Sequence, residues 1–479
     1  MRIDLSRPAP LTEPERQYHF MDLLQEALQE EQSRTGKTRT YSITTMGCQM
    51  NARDSEKLKG ILERIGYREA DQEKNADLVI YNTCCIRENA EQKVYGKLGY
   101  LKGFKKQNPN LRICLCGCMM QEDAVLEKIQ KSYPQVDLIF GTHNIYKFPE
   151  LLATMEESGS RVIDIWQEHG EIVEDLPSLR KYPFKASVNI TFGCDNFCTY
   201  CIVPYVRGRE RSRRPEEILK EIRALAADGV KEIQLLGQNV NSYGRGLEQP
   251  ITFAELLYQV AEIEGIERIR FMTSHPKDLS DDLIRAMRDI PKLMPHFHLP
   301  LQSGSSEILH RMNRHYDKAQ FLERAEALKS AVPDISLTTD IIVGFPGETE
   351  EDFEETLDVV RKVGFDSAFT FIYSPRIGTP AAVMEQVPEE VTKPRFDRLL
   401  KELEDVIEQN NQKRLHKTYQ VLAESVSKNG MLTGRTETNQ LVHFEAPECM
   451  IGQILPVTLD ESKIYYFIGH MHHHTTVKR

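Results

Sequence analysis

The chain has 479 residues, of which 40% are hydrophobic and 28% are charged. This is the composition of an ordinary globular protein, and the length is enough for about three domains. A formal net charge of −11 excludes a globally basic nucleic-acid-binding protein, so any RNA-binding surface has to be local.

Residues 1–38 are polar and charged, and they contain no apolar segment of the kind found in signal peptides. We predict a short helix followed by a flexible lead-in, together forming a solvated N-terminal extension. The chain also lacks any run of 18 apolar residues. We therefore expect a cytoplasmic protein with no membrane span.

Residues 39–155 alternate between strand-like and helix-like patterns. The runs ADLVIYN and LRICLCG are typical of buried strands, whereas DSEKLKGILERIGY has apolar residues at helical spacing. Such alternation predicts an α/β domain in which helices cover both faces of a parallel sheet.

Residues 180–412 contain six further strand-like runs separated by helical ones such as RPEEILKEIRALAADG. Six βα units predict a partial (β/α)6 barrel of the TIM type, with its active site at the carboxyl ends of the strands. Residues 413–475 change to short β-type runs with glycine and asparagine turns, which predict a small β-barrel. The histidine triplet at 472–474 is interpreted as an unstructured tail.

Nine of the ten cysteines precede residue 202, and such clustering favours metal chemistry over a disulfide framework. Cys194, Cys198 and Cys201 form a C-x3-C-x2-C motif directly after the first predicted barrel strand. Three thiolates on a four-iron cluster leave one iron without a protein ligand. An open coordination position is typical of a catalytic site, and we expect a substrate or cofactor to fill it.

A second set of cysteines lies at the ends of three strands of the N-terminal domain, at Cys48, Cys84 and Cys118. The carboxyl ends of parallel strands meet at one edge of a sheet, where α/β folds bind ligands. Cys116 is an alternative to Cys118. We favour Cys118 because a glycine precedes it, as a glycine also precedes Cys48. The competing interpretation is three buried thiols without a common role.

These motifs resemble the radical S-adenosylmethionine (SAM) enzymes and, among them, the methylthiotransferases. The first resemblance is carried by C-x3-C-x2-C after the first barrel strand, and the second by GCQMN, NTC and GC upstream with a β-rich tail. Members of the family act on isopentenyladenosine in tRNA, on threonylcarbamoyladenosine in tRNA, or on an aspartate of a ribosomal protein. RENAEQKVYGKLG, VPYVRGRERSR and LLGQNVNSYG look most like the first group.

The resemblance implies two [4Fe–4S] clusters, a radical cluster on Cys194, Cys198 and Cys201 and an auxiliary one on the N-terminal triplet. Two SAM molecules would be used to insert a methylthio group at carbon 2 of the adenine next to the anticodon. No catalytic residue is assigned beyond the cluster ligands. Because radical, carbon and sulfur must meet, we expect the cysteine edge of the sheet to pack over the barrel mouth.

The implied partners are the tRNA anticodon stem-loop and a reductant protein such as flavodoxin or ferredoxin, acting on a monomer with no membrane contact. Threonylcarbamoyl-modified tRNA is the alternative substrate. The alternative of another class is a non-catalytic protein with two clusters that binds RNA or transfers electrons, although an electron carrier gains nothing from an exposed iron.

Residues after the other barrel strands are candidates for binding SAM. The candidates are Gly237, Gln238, Asn239, Gln302, Ser303 and Gly344. A plain strand-to-helix turn is the alternative interpretation for Gly344. His296 and His298 alternate on a strand, and we interpret them as hydrogen-bonded core histidines.

The run RGRERSRR follows the cysteine loop and predicts a phosphate-binding segment. Its arginines are Arg207, Arg209, Arg211, Arg213 and Arg214. A solvated charged segment is the alternative. The tail resembles a TRAM domain, an RNA-binding module. Its candidate contacts are Lys413, Arg414, Lys417, Lys428 and Arg435.

Overall fold

The computed structural model describes residues 3–85 and 88–471, so the histidine triplet at 472–474 lies outside the described residues. The chain forms two compact units. The first consists of Met1–Lys181, Phe192–Asp195 and Ile202–Arg213, and the second of Tyr182–Thr191, Asn196–Cys201 and Arg214–Arg479. Within the described residues, every helix is too short or too polar to cross a membrane.

Among the described residues, the N-terminal part of the chain contains five α-helices and six strands. The helices are α1 (Glu15–Thr35), α2 (Gln49–Ile65), α3 (Glu88–Gln107), α4 (Asp123–Ser132) and α5 (Phe148–Ser158). The strands are β1 (Thr40–Thr45), β2 (Arg68–Glu69), β3 (Leu78–Thr83), β4 (Arg112–Gly117), β5 (Leu138–Phe140) and β6 (Val162–Asp164). They form one parallel sheet in the order β2-β1-β3-β4-β5-β6, which confirms the predicted α/β fold.

Helix α1 differs from the solvated extension that we expected for residues 1–38. Phe20, Met21 and Leu24 of this helix are buried in the same apolar cluster as Leu62 of α2 and Leu152 of α5. The apolar residues recur at helical spacing and form one buried stripe, while the charged residues occupy the rest of the helix. The helix is therefore part of the core of this unit.

The middle of the chain contains the remaining helices and eight strands. The helices are α6 (Val203–Arg207), α7 (Pro215–Ala227), α8 (Phe253–Ala261), α9 (Asp281–Asp289), α10 (Ser306–Arg311), α11 (Lys318–Ala331), α12 (Glu350–Val363) and α13 (Glu389–Gln412). The strands are β7 (Lys185–Asn189), β8 (Thr191–Phe192), β9 (Arg211–Ser212), β10 (Glu232–Leu236), β11 (Arg268–Phe271), β12 (His296–His298), β13 (Ser336–Val343) and β14 (Ser367–Ile372).

Six of these strands form the predicted partial barrel. β7, β10 and β11 make one parallel three-stranded sheet and β12, β13 and β14 make another. A parallel bridge between Ile269 and Leu293 continues the first sheet toward the second. One face of the strands, including Val188 and Ile233, packs with the surrounding helices in a single large apolar core. Since side chains alternate along a strand, the other face carries the polar residues.

The C-terminal part forms the small closed β-barrel that the sequence predicted. Its strands are β15 (Thr418–Val426), β16 (Leu432–Thr436), β17 (Leu441–Glu445), β18 (Ile454–Ser462) and β19 (Phe467–Met471). They close in the order β15-β16-β17-β19-β18. Closure leaves no edge strand exposed along the module.

A buried ionic network joins this small barrel to strands β10 and β11 of the partial barrel. Arg270 lies 2.9 Å from the Glu232 carboxylate and donates to the carbonyl oxygens of Thr436 and Glu437. Lys185 approaches Glu232 to 3.0 Å. Burial would raise the pKa of Glu232, but Arg270 and Lys185 outweigh it and lower the pKa to about 2. Glu232 is therefore ionised inside the protein.

We expect Arg270→Ala to destabilise this second unit by about 3 kcal/mol, because Glu232 then keeps only Lys185 as a close cation and two buried carbonyls lose their donor. Urea denaturation followed by circular dichroism measures the change. The matched control is Arg285→Ala, which removes an exposed arginine paired with Asp282 and should cost less than about 1 kcal/mol. Equal effects of the two variants would contradict the prediction.

Candidate active site

The three N-terminal cysteines lie at the carboxyl edge of the parallel sheet, in loops that touch one another. A side chain at Gly47 would come within 2.5 Å of the Cys84 Cβ, so the loop before Cys48 passes directly against Cys84. Gly117, at a φ of 94°, is equally close to the neighbouring loop, since a side chain there would come within 2.3 Å of the Thr83 carbonyl oxygen. Only glycine fits these two contacts, which explains the Gly–Cys pairs in the sequence.

Asn51, in the first turn of α2, connects the three loops. Its amide nitrogen donates to the carbonyl oxygens of Met46 (3.0 Å) and Thr83 (2.8 Å). Its amide oxygen lies 3.6 Å from the Cys48 sulfur and 3.9 Å from the Cys118 sulfur. Asn51 is fully buried, so these contacts hold the loops in one arrangement. The sequence analysis missed this residue, although it is the last letter of GCQMN.

Cys118, rather than its alternative Cys116, reaches this edge. Cys116 and Cys114 are buried in the apolar core beneath the sheet, and burial raises the pKa of both thiols. By contrast, a hydrogen bond from the Cys85 thiol and the charge of Arg207 lower the pKa of Cys118 to about 6, although burial opposes them. The same hydrogen bond and burial raise the pKa of Cys85. Among these cysteines, Cys118, directly after β4, is thus the one suited to be a thiolate ligand.

Within the described part of the chain, no three His, Cys, Asp or Glu side chains are close enough to hold a single metal ion. A four-iron cluster spreads its thiolate ligands around a larger cage than one ion does. Three cysteines on touching loops are a donor set that such a cluster would take, with one iron left open.

The C-x3-C-x2-C loop is fastened to the chain segment that follows α10. The Thr199 amide donates to the Met312 carbonyl at 3.1 Å. The Asn313 side chain donates to the carbonyls of Asn196 (3.2 Å) and Phe197 (3.1 Å). Phe197 has a φ of 45°, a conformation that these contacts hold in place. These hydrogen bonds tie the cysteine loop to the segment after α10.

Arg314 is a second residue of this site that the sequence analysis missed. Its guanidinium lies 3.4 Å from the Cys198 sulfur and 3.4 Å from the Tyr200 hydroxyl, and it also donates to the Pro300 carbonyl at 3.1 Å. The side chain is buried. The buried guanidinium therefore links the Cys198 side chain to Tyr200 and to the Pro300 carbonyl.

The candidates after β10 combine a close backbone approach with unused acceptors. A side chain at Gly237 would come within 2.3 Å of the Thr191 methyl group. The side-chain oxygens of Gln238 and Asn239 are buried and have no hydrogen-bond partner in the described part of the structure. Buried acceptors of this kind are costly unless a ligand donates to them, and the ammonium group of SAM would do so. Asn239 is oriented by Asp278, to which it donates at 2.7 Å.

The remaining SAM candidates are occupied by internal contacts. Gln302 has a φ of 67° and pairs with β13 through its backbone. Ser303 is fully buried, and its hydroxyl accepts from the Ser305 amide at 3.2 Å. Gly344, at a φ of 75°, packs against Thr392. The structure therefore gives Ser303 and Gly344 a clear role in shaping the strand ends.

The inner face of the barrel carries a cluster of polar residues around His298, which the sequence predicted only as a hydrogen-bonded core histidine. His298 donates or accepts at the Thr338 hydroxyl (3.0 Å) and lies 3.4 Å from the Asp340 carboxylate. His296 also contacts the Thr338 hydroxyl, as a hydrogen-bonded core histidine. Phe369 stands edge-on to His298 at 6.1 Å, and 51% of its surface is exposed. A half-exposed aromatic ring beside polar groups is suited to stacking against a base.

The arginine run is not the uniform phosphate-binding segment that we predicted. Arg207 is buried against Cys118 and Asp54, and Arg213 is buried against Glu174 with contacts of 2.7 and 2.6 Å. Arg211 is partly buried and donates to the Gly170 carbonyl. Both guanidinium groups of Arg207 and Arg213 are already hydrogen-bonded inside the protein, which disfavours phosphate contacts at these two positions.

The two other arginines of the run, Arg209 and Arg214, are largely exposed, with contacts to Asp195 and Glu217. In the C-terminal module, Lys413, Lys417 and Lys428 are exposed. Two other candidates are less accessible, since Arg414 pairs with Asp366 at 2.7 Å and Arg435 donates to the Asn439 carbonyl.

Three family models match successive parts of the chain. Residues 40–141 match the uncharacterised protein family UPF0004, residues 188–360 match the radical SAM superfamily, and residues 412–471 match the TRAM domain. The last match agrees with the closed five-stranded barrel. The radical SAM match implies a [4Fe–4S] cluster and SAM, and the TRAM match indicates RNA binding.

Solved structures support the fold. The radical SAM methyltransferase TsrM from Kitasatospora setae, with cobalamin and a [4Fe–4S] cluster bound, is similar with a TM-score of 0.53 at 13% identity, over 72% of this chain and 74% of that chain. The cobalamin-dependent SAM radical enzyme OxsB has a TM-score of 0.51 at 15% identity; the match covers 79% of this chain and only 57% of that one.

Curated relatives are much closer in sequence. The tRNA-2-methylthio-N(6)-dimethylallyladenosine synthase of Lachnoclostridium phytofermentans is 58% identical over 91% of this chain and 96% of its own length. Those of Acetivibrio thermocellus and Clostridioides difficile are 55% and 51% identical, and each match covers at least 95% of both chains. With this similarity along nearly its whole length, the chain belongs to the radical SAM tRNA methylthiotransferases, in the family of the tRNA-2-methylthio-N(6)-dimethylallyladenosine synthases.

Proposed function

We propose that this enzyme inserts a methylthio group at carbon 2 of N6-isopentenyladenosine next to the anticodon of tRNA. The observation that carries the proposal is the 58% identity to a synthase named for this product, over almost the full length of both chains. The presence of two separate cysteine triplets supports it, since the reaction needs both an oxidant and a source of sulfur.

We assign the radical cluster to Cys194, Cys198 and Cys201, within the residues that match the radical SAM family. When bound there, the cluster and SAM supply a one-electron cleavage that produces an oxidant able to remove the hydrogen from carbon 2. Arg314 would hold the Cys198 sulfur in place. Gln238 and Asn239 would accept hydrogen bonds from the SAM ammonium, and Gly237 would let the backbone approach it.

We assign a second cluster to Cys48, Cys84 and Cys118. In this proposal it supplies sulfur, and a second SAM molecule supplies the methyl group. Asn51 would keep the three loops together before and after the cluster binds. The convergence of the loops and the low pKa of Cys118 support the assignment.

The substrate side of the proposal rests on the TRAM match and on the exposed ring of Phe369. The exposed lysines of the C-terminal module and Arg209 and Arg214 are candidates for phosphate contacts. Phe369 would stack on the splayed-out adenine, in the manner of single-stranded RNA recognition. We further propose a monomer that works in the cytoplasm, where its tRNA substrate is, and takes electrons from a flavodoxin or ferredoxin.

The proposal is tested by incubating the anaerobically reconstituted enzyme with reductant, SAM and tRNA that carries N6-isopentenyladenosine. Digestion and mass spectrometry should reveal the 2-methylthio nucleoside, with 5′-deoxyadenosine formed alongside. Unmodified tRNA and tRNA carrying threonylcarbamoyladenosine are the matched controls. If only the threonylcarbamoyladenosine tRNA gave a methylthio product, the substrate would be threonylcarbamoyladenosine instead. If the protein bound its clusters but formed no 5′-deoxyadenosine, a non-catalytic protein would be favoured.

We expect Gln238→Ala to weaken SAM binding about tenfold, because one hydrogen bond to a charged ammonium is worth about 1.5 kcal/mol or more. Calorimetric titration of the reconstituted protein with SAM measures the dissociation constant. Gln259→Ala, which shortens an exposed glutamine on α8 of the same barrel, is the control and should bind SAM as the parent does. An unchanged dissociation constant for Gln238→Ala would remove this residue from the site.

A further inference from the structure

Arg207 is a buried arginine that belongs neither to the proposed radical site nor to the proposed phosphate contacts. Only 8% of its side chain is exposed, and the polar contacts that it makes with the described residues lie within the N-terminal unit. Burying a guanidinium is unfavourable unless it is paired and hydrogen-bonded. Its partners therefore indicate what the charge does.

The chain carries Arg207 to this position on the short helix α6. Ile202 and Val206 pack in the same apolar cluster as Met119 and Met120, which directly follow Cys118. The Thr142 hydroxyl donates to the Val206 carbonyl at 2.7 Å. The end of α6 is thus anchored beside the loop that carries Cys118, and the direction of Arg207 follows from this packing.

The guanidinium contacts a cysteine and the residue that connects the cysteine loops. Its Nε donates to the Cys118 sulfur at 3.2 Å. One terminal nitrogen donates to the Asn51 oxygen at 2.7 Å and to the Asp54 carboxylate at 3.1 Å. Asn51 is the residue whose oxygen lies near the sulfurs of Cys48 and Cys118. Arg207 therefore reaches two of the three thiol positions, one directly and one through Asn51.

From this arrangement we infer that Arg207 is a positioning residue of the auxiliary cluster, which holds the Cys118 sulfur and stabilises the reduced state of the cluster. Reduction adds a negative charge, and a buried cation that donates a hydrogen bond to a ligand sulfur favours that charge. Asp54 partly compensates Arg207 and has the opposite sign, so it disfavours reduction.

The simpler alternative is that Arg207 and Asp54 form an ion pair that only stabilises the fold. Loss of either partner would then disturb the same structure and change the cluster in the same direction. The electrostatic role makes a different forecast, because the two side chains carry opposite charges. Removing the cation should make reduction harder, and removing the anion should make it easier.

The inference rests on the proposed auxiliary cluster, so its test first isolates that site. In the full chain, Cys194, Cys198 and Cys201 are replaced by alanine, and this parent is reconstituted and analysed for iron. About four irons per chain are expected. An iron-free parent that is otherwise folded would overturn the proposed N-terminal cluster and this inference with it, whereas an iron-loaded parent leaves the role of Arg207 to be decided separately.

Arg207→Gln, Arg207→Lys and Asp54→Asn are then compared in this background by an EPR-monitored redox titration. We expect a lower midpoint potential for Arg207→Gln, a smaller decrease for Arg207→Lys and an increase for Asp54→Asn. Arg68→Gln removes an exposed arginine of the same unit that pairs with Glu63, and it should match the parent.

Shifts of Arg207→Gln and Asp54→Asn in the same direction, or a potential of Arg207→Gln equal to that of the parent, would overturn the inference. If Arg207→Gln fails to fold by circular dichroism, the pair Arg207→Lys and Asp54→Asn decides the sign. Lysine keeps the charge but cannot make the three contacts at once, so its potential should still fall below that of the parent.

Discussion

Replacing Cys201 with alanine should abolish both 5′-deoxyadenosine formation and methylthio insertion. Two thiolates hold a four-iron cluster poorly, and without the cluster there is no electron for SAM cleavage. We expect the variant to contain about four fewer irons per chain than the parent, and turnover to fall to background. Iron analysis, together with chromatography of the nucleosides, measures both effects.

Cys449→Ala is the matched control for this experiment, because Cys449 is an exposed cysteine of the same unit. It should keep the iron content and the activity of the parent. Insertion activity retained in Cys201→Ala would contradict the assignment of the radical cluster. Equal losses in both variants would mean that removal of any thiol damages the protein.

Replacing Cys84 with alanine separates the two halves of the reaction. The radical site is left intact, so SAM should still be cleaved to 5′-deoxyadenosine when reductant is present. The sulfur source is lost, and we expect the 2-methylthio nucleoside to fall below detection. The ratio of 5′-deoxyadenosine to modified nucleoside, from one reaction mixture, is the measurement.

Cys114→Ala is the control for Cys84→Ala. Cys114 is equally buried in the N-terminal sheet but lies in its apolar core, away from the cysteine edge. A small loss of stability is expected from the missing sulfur, and no change in the product ratio. Methylthio insertion by Cys84→Ala at the rate of the parent would show that this cysteine is not a ligand.

The α/β fold could be predicted because parallel strands carry a strong local signal. A strand that is covered on both faces is apolar along most of its length. Strand β3 (Leu78–Thr83) is buried at every position, as the apolar pattern of ADLVIYN predicted. The cysteine triplets were readable for a related reason. Their positions at strand ends follow from the alternation of elements, and the glycines before Cys48 and Cys118 mark sharp turns.

The burial of helix α1 was not predicted because its sequence contains both a charged segment and an apolar stripe. EALQEEQSRTGKTR is charged and typical of a solvated segment, whereas the buried stripe of Phe20, Met21 and Leu24 lies just before it. Whether such a stripe is covered depends on a partner surface. Here α2 and α5 provide that surface. The residues of α1 alone do not specify which helices will cover its apolar stripe.

The sequence by itself determined the parallel sheet, the six barrel strands and the small β-barrel that follows them, because each depends on local periodicity or spacing. The tertiary structure alone decided that Arg207 is bonded to Cys118, that Asn51 joins the cysteine loops and that Arg314 lies beside Cys198. Asp54 and Arg207 are 153 residues apart in the chain. An arginine carries the same charge on the surface and in the interior, and only the partners that folding brings to it settle which role it has.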